Sequence, residues 1–318
     1  MRNCFKAAVA LVLCLLLCRS AFGALPERLI PGGNTIALEL DTQGLSVVEV
    51  TSPAAQRAGL QKGDVLQRID SRPVFSPEEV AAAVKNSRGA PLRLTLLRDG
   101  QEKSCTLAPQ KTDQGWQLGL LVRQGISGIG TVTYYNREDG SFGALGHGVS
   151  DGKALLPLRN GSALPSSVIS VTKGKKGEPG SLQGAIRGKT PLGEIQKNTH
   201  CGIFGTMGCP QKEALPVADW REIRQGAATI LSNVRGTEVE EYRVNILEIS
   251  PRDRLNRNLL LEVTDPALLE CTGGIVQGMS GSPIIQEGKI VGAVTHVLVD
   301  DPTTGYGIFI ENMLDAAA

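Results

Sequence analysis

Short apolar runs broken by glycine, rather than long amphipathic repeats, fill most of the chain after residue 115. Among them are Gly128–Tyr135, Ser167–Thr172, Gly226–Leu231, Tyr242–Ile249 and Ile284–Val299. Runs of this length between turn residues predict short strands. Many short strands are typical of an antiparallel barrel or sandwich. The fold class expected for this part of the chain is therefore mostly β.

The first third of the chain has a mixed pattern, in which helices separate the strands. Two predicted strands, Ile36–Leu40 and Gly44–Val50, are followed by a short helix that ends at Gly59. A longer helix is predicted to begin at Pro77, because proline fits the first turn of a helix. The expected division is a small α+β domain, a polar linker and a larger domain, at residues 25–109, 110–115 and 116–318.

The N-terminal segment has the pattern of an export signal. A positively charged start precedes the apolar run Ala7–Cys18, and small residues around Gly23 suit cleavage by signal peptidase. The run has about twelve residues, fewer than the ~20 that span a bilayer. Residues 1–23 are therefore predicted to be a signal peptide. The alternative is a retained anchor that associates the protein with a membrane, and both interpretations imply an exported protein.

Composition excludes several functional classes. The 33 basic residues nearly balance the 32 acidic ones, and a net charge of +1 does not suit a nucleic-acid-binding protein. The sequence contains no P-loop or dinucleotide-binding fingerprint, so no cofactor is predicted. The cysteines outside the signal have no paired metal-ligand spacing, so no metal site is predicted and their disulfide pairing stays open. These cysteines are Cys105, Cys201, Cys209 and Cys271.

The sequence around Ser280 carries the clearest chemical signal. Ser280 is the central serine of a G-x-S-G-x-P motif that runs from Gly278 to Pro283. Chymotrypsin-like proteases present their nucleophile in this way, because the glycines let the backbone turn sharply and leave the hydroxyl exposed. Nearby backbone N–H groups then form an oxyanion hole for the acyl-transfer transition state. Ser282 is the rival nucleophile, although its place before Pro283 better suits a wall of the turn.

The chain has three histidines, so there are few candidates for the general base. His147 lies between two glycines, which suits a side chain at the edge of a cleft. His296 lies within an apolar run and is interpreted as structural. The residues alone leave the orienting acid open, because several aspartates could accept the second ring proton. They are Asp139, Asp151, Asp265, Asp300 and Asp301, of which Asp265 gives the chain order His, Asp, Ser of chymotrypsin-like enzymes.

The run Ser52–Asp64 resembles a segment of bacterial PDZ domains, through its pattern S-P-A-x-x-A-G-L-x-x-G-D. The resemblance implies a PDZ domain at residues 25–109, which binds an extended peptide as an added strand and captures a carboxylate with loop amides. Glycines before the first strand would let the backbone approach a ligand closely. The alternative is that these glycines form only a flexible turn. The peptide-binding residues implied in this way are Gly32, Gly33, Asn34, Thr35 and Ile36.

The C-terminal part of the chain resembles the stage IV sporulation protein B (SpoIVB) peptidase family. The resemblance rests on the stretches Val263–Pro283, Gly288–Val297 and Asp301–Glu311, and on Gly146-His147-Gly148 upstream. The family order of signal or anchor, PDZ domain and peptidase domain also fits, so the resemblance covers nearly the whole chain. It implies a chymotrypsin-like double β-barrel for the peptidase domain.

The resemblance also implies a catalytic triad of His147, Asp265 and Ser280. In that triad Ser280 attacks the scissile carbonyl, His147 takes up and returns the proton, and Asp265 holds His147 in the productive tautomer. By analogy with chymotrypsin-like geometry, the N–H groups of Gly278 and Ser280 bind the oxyanion.

The implied function is that of an exported serine endopeptidase in sporulation signalling, located between the two membranes around the forespore. Its implied substrate is the exported part of a membrane-bound regulator, whose cleavage triggers intramembrane proteolysis and sigma-factor activation. Control by a peptide ligand at the PDZ groove and self-cleavage between about residues 25 and 31 are further expectations. The alternatives are a PDZ-containing quality-control protease and a non-catalytic PDZ protein that binds peptides.

Overall fold

The structure is a computed structural model that describes residues 26–150 and 155–318. The predicted signal peptide or anchor and the candidate acid Asp151 lie outside this part of the chain. The fold is mostly β, as predicted, with 55% strand and 12% helix. Among the described helices, none is long and apolar enough to cross a membrane.

Antiparallel strands make up most of the described chain. In chain order the strands are β1 (Arg28–Pro31), β2 (Thr35–Val50), β3 (Val65–Ile69), β4 (Arg72–Pro73), β5 (Leu92–Arg98), β6 (Gln101–Leu107), β7 (Gln110–Thr112), β8 (Gly115–Gln117), β9 (Leu120–Tyr135), β10 (Ser141–Ala144), β11 (Leu158–Thr172), β12 (Ser181–Ile186), β13 (Gly193–Thr199), β14 (Gly202–Met207), β15 (Leu215–Pro216), β16 (Gly226–Arg235), β17 (Glu238–Ile249), β18 (Leu259–Val263), β19 (Pro283–Gln286), β20 (Lys289–Leu298) and β21 (Asp301–Phe309). The helices are α1 (Pro53–Arg57), α2 (Pro77–Ser87), α3 (Pro266–Thr272) and α4 (Ile310–Ala317), with a 3-10 turn at Trp220–Glu222.

The first β-barrel consists of β9, β10, β14, β13, β11 and β2, in that order. It closes because β2 pairs with β11 on one side and with β9 on the other. Ile36 of β2, for example, has Pro165 and Gly130 as its register partners. Alternating apolar side chains such as Ile36 and Ile203 fill the interior.

The second β-barrel comes from the C-terminal part of the chain and closes in the order β16, β17, β18, β21, β20 and β19. Its interior contains Ile230, Val244 and Leu261, which are almost fully buried. The two six-stranded barrels form the double barrel that the resemblance predicts.

A PDZ domain is inserted between the first two strands of the first barrel. Strands β2 and β9 are each 16 residues long. The C-terminal half of β2 and the N-terminal half of β9 extend beyond the barrel as a pair, with Leu45 opposite Gln124. The PDZ sheet then continues from β2 through β3 and β5 to β6. Ala55 of α1 and Val80 of α2 pack into the core of this domain.

These boundaries differ from the predicted division of the chain. The sequence prediction assigns residues 35–40 to the PDZ domain, whereas the structure places them between β9 and β11 of the first barrel. Likewise, the predicted linker at 110–115 lies within the insert, where it forms most of the β7–β8 hairpin. The pattern could not separate these cases, because an alternating strand looks the same in either sheet and only its long-range partners distinguish them.

Helix α2 begins at Pro77 as predicted and ends at Ser87. Ser76 and Glu79 form a reciprocal capping box at its start, which satisfies backbone N–H groups that have no partner within the helix. Its buried residues Val80 and Val84 face the PDZ core. The helix is thereby held beside β8 and β9.

Candidate active site

The turn that carries His147 has a left-handed backbone. Leu145 and Gly146 follow β10 with φ of 71° and 67°. This region is unfavourable for a residue with a side chain such as Leu145, so the surroundings must hold it there. The Leu145 N–H donates to the Thr131 C=O at 3.2 Å, and the Leu145 side chain fills the space beside Gly130. Strand β9 therefore fixes the position of His147.

A backbone carbonyl orients the His147 ring. Its Nδ1 lies 3.0 Å from the Gly148 carbonyl oxygen. Because a carbonyl only accepts hydrogen bonds, Nδ1 carries the proton in this arrangement and Nε2 is left free to act as a base. Burial lowers the pKa of His147, although the hydrogen bond to Gly148 opposes this effect. The ring is therefore neutral at pH 7.

Two left-handed glycines shape the turn that carries Ser280, as the motif predicts. Gly278 and Gly281 both have a φ of 99°. A Cβ atom on Gly281 would lie 2.0 Å from the Thr131 carbonyl oxygen, so this close approach requires glycine. Between the glycines, the side chain of Met279 is fully buried in the second barrel. The turn is thus anchored on the side opposite the hydroxyl.

The Ser280 hydroxyl is bonded within its own barrel. Its Oγ donates to the Thr295 C=O at 2.7 Å. Within the described residues no hydrogen bond joins Ser280 to His147. Catalytic hydrogen bonds of this kind are often absent or loose without substrate and form in the complex. A change of the Ser280 χ1 rotamer would release the hydroxyl from Thr295.

The N–H groups of Gly278 and Ser280 are available to a ligand. In the described part of the chain neither donates to a protein acceptor, whereas the N–H of Met279 between them donates to Val276 at 3.1 Å. Unpaired N–H groups on both sides of a nucleophile turn are what an oxyanion hole requires. The arrangement suits the oxyanion role predicted for these two residues.

Ser282 is not accessible as a nucleophile. Its side chain is fully buried, and its Oγ donates to the Ser232 Oγ at 3.1 Å inside the second barrel. A substrate carbonyl could reach it only if the barrel opened. The structure therefore favours Ser280 over Ser282.

One buried threonine, Thr131 of β9, joins the two catalytic turns. Its N–H donates to the Ser280 C=O at 3.1 Å, and its Oγ1 donates to the Gly278 C=O at 2.7 Å. Its own C=O accepts the Leu145 N–H next to the histidine turn. Sequence reasoning missed Thr131, because nothing in its local sequence distinguishes it from other strand residues.

The candidate residues from the two barrels meet at one cavity. His147, Gly278 and Ser280 line a space of about 420 Å³. The other walls are largely apolar and come mainly from the first barrel, with Leu38, Ile126 and Ile129 among them. A water-poor wall of this kind strengthens electrostatic interactions with a developing oxyanion.

His296 also lies at this cavity, which differs from the structural role expected for it. A register shift in β20 between Val294 and His296 turns the imidazole out of the apolar face, as bulges commonly do. Its ring centroid lies 5.0 Å from that of His147. Partial desolvation lowers the pKa of His296 to about 4, and repulsion from the protonated form of His147 and from Arg257 acts in the same direction.

The structure does not bring Asp265 to His147. Asp265 is the N-cap of α3, where its side chain accepts from the N–H groups of Ala267 at 2.9 Å and Leu268 at 3.4 Å. The Arg243 Nε lies 3.4 Å from its carboxylate. Desolvation opposes the charge, but the N–H donors of Arg243, Leu268 and Ala267 outweigh it and lower the pKa of Asp265. The carboxylate is thus used to stabilise the helix start.

None of the other candidate acids hydrogen-bonds to His147 in the part of the chain that is described. Asp139 accepts from the Ser141 N–H, and Asp301 accepts from Thr303. The acceptor that orients the imidazole is therefore the Gly148 carbonyl, which no sequence motif reveals.

The peptide-binding residues predicted for the PDZ domain, Gly32–Ile36, lie at the junction of the two barrels instead. The Gly33 N–H donates to the Val132 C=O of β9 at 2.8 Å. The Thr35 Oγ1 donates to the Asn233 Oδ1 of the second barrel at 2.6 Å. These residues lie just before β2 and at its start, in the half of the strand that belongs to the first barrel. Because this half pairs with barrel strands, the residues lie far from the PDZ helix.

The cysteines offer neither disulfides nor a metal site in the described residues. All four of the described cysteines are unpaired with one another. No group of three or more His, Cys, Asp or Glu side chains is arranged to hold a metal ion there. Cys201 instead accepts a hydrogen bond from Asn256 at 3.4 Å.

A serine turn from one β-barrel and a histidine turn from another, meeting at one cavity, define a double-barrel peptidase with an inserted PDZ domain. A model of the SpoIVB peptidase S55 family matches residues 114–314, and a PDZ model matches residues 45–98. The protein belongs to the SpoIVB peptidase S55 family. The PDZ match agrees with the insert rather than with residues 25–44. Family membership supports a PDZ-containing serine peptidase.

Curated relatives match over shorter stretches. The magnetosome formation protease MamE of Paramagnetospirillum magneticum is 48% identical over 64 residues, which cover 20% of this chain and 9% of that protein. A putative zinc metalloprotease of Rhizobium meliloti is 33% identical over 98 residues, which cover 30% of this chain and 25% of that protein. The chain thus spans a quarter or less of the length of these relatives.

Among solved structures, the inactive form of the Rv3671c protease of M. tuberculosis is 13% identical, with a TM-score of 0.35. The match covers 60% of this chain and 82% of that chain.

Replacing Thr131 with valine should impair the candidate site, because valine has nearly the same size as threonine but cannot donate a side-chain hydrogen bond. The Gly278 carbonyl would lose its donor, and a buried unsatisfied group costs about 1–3 kcal/mol. The turn can relieve this cost only by moving away from its reactive geometry, and about 1.4 kcal/mol corresponds to a tenfold change in rate. Thr131→Val should therefore lower the rate of Ser280 labelling by a fluorophosphonate probe roughly tenfold.

Thr133→Val is the matched control for this experiment. Thr133 is also fully buried in β9, but its Oγ1 has no hydrogen-bond partner among the described residues. Its replacement should leave both stability and labelling rate unchanged or slightly improved. Equal labelling rates for the two variants would show that Thr131 does not position the nucleophile.

Asp265→Asn should retain most of the activity. Asparagine caps a helix about as well as aspartate, and the lost charge pairs only with an exposed Arg243. The expected labelling rate is therefore within about tenfold of the wild type, whereas the same exchange in a triad lowers kcat by about 10⁴. Asp265→Ala should lower the free energy of unfolding by about 0.5–2 kcal/mol. A loss of several thousandfold in Asp265→Asn would restore Asp265 as the triad acid.

The pH profile of Ser280 labelling should have its acidic midpoint below pH 6.5. The neutral form of His147 is the predicted base, and burial lowers its pKa from the ordinary value of 6.5. The base form is thus present above the lowered pKa and is lost as the pH falls through it. A buried carboxylate partner would instead raise the pKa. A midpoint at pH 7 or above, measured between pH 4 and 9, would contradict the carbonyl-oriented arrangement.

Proposed function

We propose that the protein is an exported serine endopeptidase in which Ser280 is the nucleophile and His147 is the general base. The observation that carries this proposal is that the two residues, held on separate barrels, line the same cavity as Gly278, whose N–H has no acceptor among the described residues. A peptidase needs this combination of nucleophile, base and oxyanion donors around one point.

The reaction begins when the Ser280 hydroxyl breaks its hydrogen bond to the Thr295 carbonyl. The Ser280 Oγ then attacks the substrate carbonyl while its proton passes to the His147 Nε2. The carbonyl oxygen becomes negatively charged and accepts hydrogen bonds from Gly278 and Ser280. Collapse of this intermediate breaks the C–N bond, and His147 returns the proton to the leaving amine. A water molecule, deprotonated by His147, hydrolyses the acyl-enzyme in the same way.

His147 is oriented in this mechanism by the Gly148 carbonyl, and Asp265 acts through α3. Helix α3 ends at Thr272, and the chain runs directly from it into the segment that carries Ser280. A firm N-cap therefore fixes the start of the nucleophile-bearing segment. In this proposal Asp265 is a positioning residue, whereas the resemblance implies a triad acid.

The biological setting that we propose is sporulation signalling. Membership of the SpoIVB peptidase S55 family supports it, as does the export pattern of residues 1–23. The substrate would be the exported part of a membrane-bound regulator, cleaved between the membranes around the forespore so that intramembrane proteolysis and sigma-factor activation follow. A peptide ligand at the PDZ domain would control the reaction.

Self-cleavage near the N-terminus is also part of this proposal, and the burial of β1 supports a particular position for the cut. Leu29 and Ile30 are buried in β1, which pairs with β9 and β15. A bond inside this strand cannot enter an active site without unzipping the strand first. The cut is therefore proposed to lie before Arg28.

The experiment that tests the reaction is fluorophosphonate labelling of the purified protein, with the modified residue located by mass spectrometry. Wild type and Ser282→Ala should be labelled at Ser280. Ser280→Ala should not be labelled, and His147→Ala should react more slowly by a factor of about 10³ or more. Labelling at another serine would reject Ser280 as the nucleophile. No labelling in any form would favour the alternative of a non-catalytic PDZ protein that binds peptides.

A second measurement separates the signalling role from quality control. A signalling peptidase should leave casein, an unfolded general substrate, largely intact during the time in which it cleaves its regulator. Extensive digestion of casein at many sites, absent in Ser280→Ala, would favour a quality-control protease.

A further inference from the structure

One edge of β9 has no strand partner along most of its length. From Leu120 to Thr131 this strand pairs with β2, and no other described strand pairs with it there. The opposite edge therefore presents unpaired backbone groups, which form a template for an added strand. This edge begins in the PDZ domain and ends at the barrel.

Backbone groups at the PDZ end of β9 face this edge. The N–H and C=O of Val47 on β2 are both bonded to β3, through Asp64 and Gly63. Val122 is the register partner of Val47. In an antiparallel pair, opposite residues turn their backbone groups either toward each other or away from each other. Val122 consequently directs its N–H and C=O away from β2.

Backbone groups at the barrel end of β9 face the same edge. The N–H and C=O of Thr131 both point away from β2, because they bond to Ser280 and Leu145. Backbone direction alternates from one residue to the next along a strand, so the N–H and C=O of Ile129, two residues before Thr131, also point away from β2. Ile129 also lines the cavity that contains Ser280 and His147. The unpaired edge thus leads directly into the catalytic cavity.

The PDZ end of this edge has the properties of a peptide groove. Leu120 and Val122 of β9 are only partly buried, as are Ala83 of α2 and Trp116, and all four pack at the PDZ core. The loop before Leu120 contains Gly119 in a left-handed conformation with a φ of 70°. In the described residues the Gly119 N–H has no acceptor, as suits a loop that captures a carboxylate.

The position of this loop fixes the direction of a bound peptide. A carboxylate at Gly119 lies at the N-terminal end of β9, so the peptide must run antiparallel to the strand. Residues further from its C-terminus then lie progressively closer to Ser280. Leu120 and Ile129 are nine residues apart in one strand, which corresponds to roughly 30 Å at about 3.3 Å per residue. Gly125, at a bulge with a φ of 61°, bends this path without interrupting the strand.

We propose that the substrate is a polypeptide with a free C-terminus that binds along this edge and is cleaved at a fixed distance from that C-terminus. Its last residues add a strand to Leu120–Gln124, and the following stretch extends along β9 to the cavity. The scissile bond then lies about 9–12 residues before the C-terminal carboxylate, at about 3.3 Å per residue. This inference rests on the proposed peptidase function and assigns its substrate class.

The test is to digest a mixture of unrelated synthetic peptides, each about 30 residues long with a free C-terminus, and to count the residues between each cut and the C-terminus. The expected result is a distribution with a peak at about 9–12 residues. Adding four residues to the C-terminus of a cleaved peptide should move the cut by four residues. Amidation of the C-terminus should lower the cleavage rate at least tenfold.

Substitutions on the two faces of β9 provide matched variants. Leu120→Ser removes a groove side chain and should broaden the distribution of cut positions. Leu121→Ser changes the next residue, whose side chain is 52% exposed and points to the opposite face of the strand. This variant should leave the distribution unchanged. The melting temperatures of both variants check that they are folded.

The possible failures are distinguishable. Cuts that follow local sequence at any distance from the C-terminus, with no effect of extension or amidation, would overturn the fixed distance but keep the peptidase. Absence of all cleavage, together with an unlabelled Ser280, would reject the proposed function itself. Cleavage confined to a fixed distance that Leu120→Ser does not change would place the anchor outside this groove and overturn the assignment.

Discussion

The hydrogen bonds of one buried residue, Thr131, connect the two halves of the candidate site. Its N–H and Oγ1 hold the carbonyls of Ser280 and Gly278, and its C=O holds the Leu145 N–H beside the histidine turn. The nucleophile and base belong to separate barrels, so neither barrel alone can set the distance between them. Catalysis tolerates displacements of only about 1 Å. Three short bonds from one rigid strand supply that precision at the position where the barrels meet.

The same strand makes the PDZ domain an integral part of the peptidase rather than an appended module. Strands β2 and β9 run through both domains without a linker, and Gly125 lies where they bend. A Cβ atom on Gly125 would lie 2.3 Å from the Leu40 carbonyl oxygen, so the strands are tightly packed at this bend. A ligand that tilts the PDZ sheet must therefore strain β9, whose far end holds the nucleophile turn. The domain order in the sequence conceals this connection.

Local sequence was sufficient to predict the parts of the site that depend on local backbone geometry. The left-handed turns around Ser280 and His147 require glycines, and these glycines are visible in the sequence as a local motif. By contrast, Thr131 and the placement of Gly32–Ile36 depend on which strands pair across long distances in the chain. The alternation of a strand does not indicate which strand it pairs with, so the sequence prediction misplaces the PDZ boundary and the peptide groove. Asp265 shows a further limit of prediction from sequence. Aspartate is a favoured residue both for a helix N-cap and for the acid of a catalytic triad, so the residue type does not distinguish the two roles.

A carbonyl in place of a carboxylate has consequences for how this enzyme would gain its rate. A carboxylate stabilises the imidazolium that forms during attack more strongly than a neutral carbonyl does, because it adds an attraction between opposite charges. Burial keeps His147 neutral and ready as a base, yet it also makes that imidazolium more costly. A less reactive Ser280–His147 pair therefore benefits most from holding its substrate in place. A groove on the same strand does this, because an anchored chain meets the active site at a high effective concentration. Unanchored polypeptides would then be cleaved slowly, which is the selectivity that the proposed signalling role requires.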